Sequence, residues 1–281
     1  MTPVRGKYGV LEMGFERDGL GRTVLRHLHR EVPLIVQQAL YFDESLPSMA
    51  CVYILSSGGP NLDGDRFSVG VELGEGTMAH ISTGAATVIA TMEHDCARQR
   101  QSITLEEGAY LEWLPRAMIP CAHSRYSSTT ELIVAPSATV IFSEVVACGR
   151  LHSGERFDYD EFSLSTLVCR PSGEVVVRDA LRLAPSCHSP THWAQLGTHT
   201  HFGSVVIISP AEVTTRLYEE LRPEVGDDLR MSVARLADDA GLVIRLTGMG
   251  SERILRAIRS LCSMVRYHTK GVTLPQEFPW R

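Results

Sequence analysis

The sequence has no basic excess and no run of lysines or arginines: 27 basic residues stand against 33 acids, a net charge of −6 with the histidines neutral. That balance leaves no electrostatic footprint for nucleic acid or for an anionic membrane surface. No apolar stretch approaches the roughly 20 residues that a membrane-spanning helix needs. The segment from Met1 to Arg17 mixes charges with glycines and lacks the apolar core of a secretory leader, so the chain reads as cytosolic. Cysteine is present but unpatterned. The seven residues, Cys51, Cys96, Cys121, Cys148, Cys169, Cys187 and Cys262, are odd in number and contain no Cys-x-x-Cys pair. This argues against a disulfide framework and a structural zinc site, and fits small buried hydrophobes in a reducing compartment. The GxSxG nucleophile elbow and the HExxH zinc motif are also missing. What remains fits a soluble protein that binds other proteins.

What is there is mostly strand. From about Thr23 to Leu183 apolar residues alternate with polar ones, as at Phe67, Val69, Val71 and Leu73, the period of a strand buried on one face. Residues Thr139 to Val146 form a nearly continuous apolar run, expected of a strand covered on both faces. Turn signals separate these runs at Gly74-Glu75-Gly76, Glu106-Glu107-Gly108, Pro136-Ser137 and Pro171-Ser172-Gly173. Segments starting at Val71, Ile103 and Leu132 share one template: two apolar positions two apart, a tight turn, a small residue, then apolar positions again. A spacing near thirty residues points to coils of a β-solenoid, although hairpin-like corners of a sandwich would share the pattern.

The last third changes character. A strand over Gly203–Ile208 leads into Ser209-Pro210-Ala211-Glu212, which reads as a helix start with Ser209 as N-cap, running to about Leu221. Another strand covers Leu242–Thr247. Ser251 opens a second helix with Ile254, Ile258, Leu261, Cys262 and Val265 on one face. The expected fold class is mainly β with a smaller α/β C-terminal portion: an irregular β-helix body plus two C-terminal helices. It forms a single domain over 1–281, with a β-rich body over 1–202 and an αβ portion over 203–281 packed on it.

Candidate chemistry lies in carboxylates and histidines. The glycine-rich loop with Gly58, Gly59 and Gly64 superficially resembles a phosphate loop, but it lacks the lysine and carries Asp63 and Asp65, which would repel a nucleotide. An acid-bearing glycine turn instead suits a cation or a basic partner residue. Cys187, His188, His192, His199 and His201 crowd into fifteen residues. A His-x-His pair on a strand would put both rings on one face, as weak contacts for Ni²⁺, Zn²⁺ or Cu²⁺; solvated loop histidines are the plainer reading. Glu144 sits inside an apolar run, where an unpaired carboxylate costs several kcal/mol. It needs a partner, for which Arg150 is the nearest candidate in sequence, or a polar internal passage.

These residues carry a family resemblance. Gly58-Gly59 followed by Gly64-Asp65-Arg66, the element Thr83-Gly84-Ala85-Ala86-Thr87, and Leu111-Glu112-Trp113-Leu114-Pro115 with Ile119-Pro120 are similar to motifs of UreD/UreH urease accessory proteins. Ser143-Glu144 through Gly149-Arg150, then Gly154-Glu155-Arg156-Phe157, continues the family's order. The register holds from about Lys7 to the C-terminal helix. The resemblance implies a β-helix-like body with C-terminal helices and no catalytic residue. It implies direct binding to UreF, recruitment of the GTPase UreG through that complex, and contact with apo-urease. No cofactor is held tightly; Ni²⁺ passes in transit through a water-filled tunnel.

Asp65, Glu144 and Glu155 lie in matching motifs and become the first candidates for tunnel-facing carboxylates. Glu112 is a fourth, or an outward-facing strand residue. Hard carboxylate oxygens would hold a divalent ion weakly enough to release it. Three departures bear on partner contacts: Val88-Ile89-Ala90 where relatives carry lysine and an aromatic–arginine pair, Pro60 and Asp63 in the glycine-rich loop, and the ending Leu274 to Trp280. Two other readings stand beside this one. The chain would be a protein-binding β scaffold without a metal role, or a metal-dependent hydrolase using Asp63, Asp65 and the histidines.

Overall fold

The computed structural model describes residues 6–192, 195–276 and 278. The chain opens with β1 (Tyr8–Arg17), β2 (Thr23–Arg30), β3 (Leu34–Ile35) and β4 (Ala50–Ser56). It continues through β5 (Arg66–Leu73), β6 (Met78–Thr83), β7 (Thr87–Ile89), β8 (Ala97–Leu105), β9 (Tyr110–Trp113), β10 (Met118–Pro120), β11 (Arg125–Val134) and β12 (Thr139–Ala147). Then come β13 (Glu161–Cys169), β14 (Val175–Leu183), β15 (His201–Ile208), α1 (Ala211–Glu220), β16 (Glu224–Val225), β17 (Leu229–Arg235), β18 (Gly241–Gly248) and α2 (Ser251–Lys270).

The three segments that share a template stack in register. β5, β8 and β11 pair in parallel, with Val71 beside Ile103 and Ile103 beside Leu132. After each turn the chain enters the second sheet, where β6, β9 and β12 also pair in parallel. Ala79, Leu111 and Val140 form one row there, and Ile81, Trp113 and Phe142 the next. The positions that the template equates are therefore physical neighbours, and the body is a solenoid-like coil rather than a set of sandwich corners. The strand series begins earlier than Thr23: β1, with Leu11, Met13 and Phe15 buried, pairs in parallel with β5.

The coil yields a seven-stranded sheet, β14-β13-β11-β8-β5-β1-β2, and an eleven-stranded sheet whose main path runs β16-β17-β18-β15-β12-β9-β6-β4-β3. The expected division near residue 202 falls inside β15, which pairs with β12 on one side and β18 on the other. The αβ portion thus extends a sheet of the body. Two cores result. Val140 and Phe142 of β12 face the space between the sheets, whereas Ile141 and Val145 face the helices. This explains why every residue of β12 is buried and why its sequence is almost continuously apolar.

Helix α2 buries Ile254, Ile258, Leu261, Cys262 and Val265, the expected face, and adds Arg266 to it. The start of α1 differs from expectation. Pro210 takes the N-cap position, its carbonyl accepting from the Val213 and Thr214 amides. The hydroxyl of Ser209 pairs instead with the Thr214 side chain at 2.8 Å, in a buried setting. No helix among the described residues is long and apolar enough to cross a membrane.

The stacking makes a stability prediction. Leu111 is fully buried between Ala79 and Val140, so Leu111→Ala should cost about 2–5 kcal/mol in urea unfolding. Ser102→Ala, on the exposed face of β8, should stay within about 0.5 kcal/mol of the parent.

Candidate functional site

A cavity of about 570 Å³ lies between the sheets, lined by Gln99, Gln101, Ser128, Trp113, Tyr126 and Glu144 among others. Its rim includes Gly59 and Pro60 of the glycine-rich loop and Gly84 to Thr87 of the threonine–alanine element. Strand parity accounts for the placement of Glu144: it shares the face of β12 that carries Val140 and Phe142, which points into the inter-sheet space. Opposite it, polar residues interrupt the apolar rows of the other sheet. Tyr126 donates to Gln99 at 3.0 Å, and Gln101 donates to Thr130 at 2.8 Å. Among the described lining residues Glu144 is the one carboxylate and Arg116 the one cation.

Glu144 is 6% exposed. Burial pushes its carboxyl up to about 8, with nearby Asp179 adding to the rise and Arg245 opposing it. Arg245 on β18 bonds to Ser204, the β15 neighbour of Glu144 in register, and pairs with Asp179 on β14. The charge facing Glu144 therefore comes from residues far along the chain. Arg150, the partner expected from sequence, pairs with Glu155 instead. The turn from Gly149 through the short helical segment at Leu151–Ser153 folds Arg150 back on that residue.

The other three candidate carboxylates do not line the cavity. Asp65 is fully buried beneath the glycine-rich loop. It accepts from the amides of Lys7 at 2.7 Å and Leu62 at 2.8 Å, and the Lys7 ammonium lies 3.2 Å away. The cation expected of this turn is thus the chain's own lysine, which also donates to the carbonyls of Gly58 and Pro60. Gly59 and Gly64 have φ of +68° and +80°, values that favour glycine; a Cβ on Gly58 would approach Pro33 to 2.9 Å. Glu155 is spent on Arg150 and on the Ala122 amide. Those hydrogen bonds, that of Arg150 foremost, hold its carboxyl below the usual range against a smaller effect of burial.

Glu112 has the opposite strand parity to Leu111 and Trp113 and faces α2 rather than solvent. Its oxygens accept from Arg266, from Tyr110 at 2.7 Å and pair with His80 Nδ1 at 2.7 Å; Arg266 also pairs with Asp43. Glu112, Arg266, Asp43 and His80 are all fully buried. Burial alone would raise the Glu112 carboxyl, but the bonds from Arg266 and His80 hold it far below the usual range. Sequence reasoning missed Arg266, whose signal was a cation on the apolar face of a helix.

The stretch from Cys187 to His201 divides in two. Cys187 and His188 are exposed in the loop after β14. His199 lies before β15 rather than on it, fully buried, with Nδ1 at 2.7 Å from Thr247 and Nε2 at 2.8 Å from the Asp227 carbonyl. His201 is buried beside Thr200, and burial pushes its pKa down to about 4. The two rings do not form the expected strand pair. No group of three or more potential metal ligands gathers among the described residues. Asp63 accepts three backbone amides, from Glu93, His94 and Asp95, so the hydrolase constellation is not assembled. The expected C-terminal ending runs partly through 277 and 279–281, which lie outside the described residues.

The architecture is thus a coiled β body closed by two helices, with a largely apolar cavity between its sheets that carries a few polar groups. Residues 7–281 match the family described as UreD urease accessory protein. The chain is 38% identical over 279 residues to urease accessory protein UreD 2 of Brucella suis biovar 1 (strain 1330), covering 98% of this chain and 92% of the relative. It is 36% identical over 282 residues to urease accessory protein UreD 2 of Methylorubrum extorquens (strain PA1), covering 98% and 90%. The chain belongs to the UreD family of urease accessory proteins.

The two buried carboxylates should titrate with opposite effects on stability. Glu112 is held ionised, so its contribution is present above the ordinary carboxyl range and is lost as pH falls through and below it. Removing one partner strands the other, so Glu112→Ala or Arg266→Ala should cost about 3–5 kcal/mol in urea unfolding at neutral pH. Glu144 is held protonated. Between 4.5 and about 8 the folded chain keeps a proton that the unfolded chain releases, so stability falls as pH rises through that window. Glu144→Gln should therefore gain in urea midpoint over the parent as pH is raised from mildly acidic to mildly alkaline.

Proposed function

We propose that the chain is a non-catalytic metallochaperone scaffold of urease maturation that gives Ni²⁺ a path toward apo-urease. The observation that carries this reading is Glu144, the one carboxylate among the described residues lining a largely apolar inter-sheet cavity whose rim is built from the family's own glycine-rich and threonine–alanine elements. Nickel is cargo here, not a resident cofactor. A carboxylate, two glutamine side chains and serine hydroxyls supply oxygen donors suited to brief contact, and no thiolate or imidazole lines the cavity among the described residues to trap a borderline ion. On this reading the protein works in the cytoplasm, bound directly to UreF, joined to UreG through that complex, and docked on apo-urease.

One observation favours the scaffold reading without a metal path. Arg116 puts a guanidinium on the cavity wall, which opposes the presence of a free divalent cation. The two readings separate in cells expressing a urease operon with this chain in parent or variant form. On the conduit reading, Glu144→Gln lowers the nickel content of purified urease several-fold while UreF, UreG and urease still co-purify with the chain. Full nickel loading with Glu144→Gln sinks the conduit and leaves the scaffold. Asp65→Ala is a poor probe, because its loss unties Lys7 and Leu62 from the loop.

A further inference from the structure

Two imidazoles stand two residues apart on β2, the edge strand of the seven-stranded sheet. Leu28 turns inward opposite Met13 and packs against the core, so strand alternation sends His27 and His29 to the outer face. Unlike His199 and His201, these two share a strand and a face. Their side chains are 63% and 48% exposed. Register sets Gly14 of β1 opposite His27 and Glu12 opposite His29; on β5 the next neighbours are Glu72 and Gly70. The two glycines leave the ground beside the histidines bare. A side chain on Gly14 would come within 3.1 Å of the His27 Cβ, and Glu12 leans over Gly70. His27 Nε2 lies 3.8 Å from the Glu12 carboxylate, and His29 Nε2 lies 3.3 Å from that of Glu31. The arginines of the strand are engaged elsewhere: Arg26 pairs with Glu16, and Arg30 donates to the Val36 carbonyl. The charge around the two rings is therefore acidic.

We propose that His27 and His29, with Glu12 as third donor, form a surface site for one divalent transition ion of borderline softness, Ni²⁺ among them. Imidazole nitrogen with carboxylate oxygen is a donor set that prefers such ions to Mg²⁺. Bonds of about 2.1 Å, opened to about 90–130° at the metal, hold two ligands about 3.0–3.8 Å apart. The imidazole–carboxylate separations of 3.3 and 3.8 Å already fall in that range. Same-face positions lie about 6.6 Å apart along a strand, a gap that two imidazoles tilted toward each other span through one ion.

As they stand, no three of these donors converge. His29 has to swing from Glu31 toward Glu12, a turn about its side-chain bonds that its exposure leaves open. Water fills the remaining positions, so the ion exchanges readily. The site shares no residue with the inter-sheet cavity and does not rest on the conduit reading.

Isothermal titration of the full chain with Ni²⁺ at neutral pH, in a buffer that does not bind the metal, tests the site. The parent should take up an ion that excess Mg²⁺ does not displace. His27→Gln and His29→Gln should each weaken that binding at least about tenfold, since loss of an outer partner alone typically costs about 10- to 100-fold. The double variant should abolish it, and Glu12→Gln should weaken it to a lesser degree. His188→Gln, in the exposed loop after β14, should leave it unchanged. His27, His29 and Glu12 are exposed on strands, and unchanged thermal midpoints confirm that the fold is kept. A parent that takes up no Ni²⁺, uptake that survives the double substitution, or an equal loss with His188→Gln overturns the proposal.

Discussion

Register is the constraint on which the rest of this molecule depends. Because β5, β8 and β11 stack in parallel without slippage, and β6, β9 and β12 do the same, each inward position is repeated one coil further on. A slip of one residue would turn every inward side chain outward. The rows Ala79-Leu111-Val140 and Ile81-Trp113-Phe142 then fill the inter-sheet space continuously. The same register sets the outer face, where Arg66 and Arg125 open β5 and β11 and Glu72 and Glu131 follow six residues on. The interruptions of the inner rows by Gln101, Ser128 and Glu144 fall close together because register places them so.

Closure of the body depends on a second interaction. Arg266 enters the space between α2 and the eleven-stranded sheet and neutralises Glu112 and Asp43, with His80 and Tyr110 completing the oxygen partners. Such a network costs desolvation that its internal pairing must offset, and an apolar replacement of similar shape could be as stable. What it supplies is position. A helix bearing one guanidinium among aliphatic side chains has one axial and rotational setting in which that cation meets both carboxylates. The LEWLP segment therefore serves the docking of α2 through Glu112 and the inter-sheet core through Leu111 and Trp113, because strand alternation sends them to opposite faces.

Much of this fold was legible in the sequence, and the reason is local periodicity. The template aligned at Val71, Ile103 and Leu132 is the true stacking register, and the almost continuously apolar β12 is the strand with a core on each of its faces. The α2 face was read correctly apart from Arg266. Partnerships across long sequence distance were not legible. Glu144 was recognisable as a buried carboxylate, yet the nearest arginine in sequence, Arg150, is drawn away to Glu155 by its own turn, and the relevant charges are Asp179 and Arg245. Asp65 was recognisable as an acid in a glycine turn that wants a cation. That the cation is Lys7, some sixty residues earlier, follows only from the parallel pairing of β1 with β5. His199 and His201 looked like loop residues because nothing in their vicinity reveals that His199 meets Thr247 and the Asp227 carbonyl, or that His201 pairs with Gly248 of β18.

The contrast between Glu112 and Glu144 bears on how a carboxylate can serve passage rather than structure. Both are buried on strands of the same sheet, one coil apart. Glu112 has its charge fixed by a guanidinium and an imidazole, and its oxygens are fully engaged. Glu144 has no such partner among the described residues, and burial with Asp179 nearby holds it toward the neutral acid. A neutral acid in a largely apolar cavity does not capture a divalent ion until it releases its proton, and it regains that proton when the ion leaves. Weak, reversible contact is what a conduit requires, because a site that bound the ion as firmly as Glu112 binds Arg266 would end the transfer there.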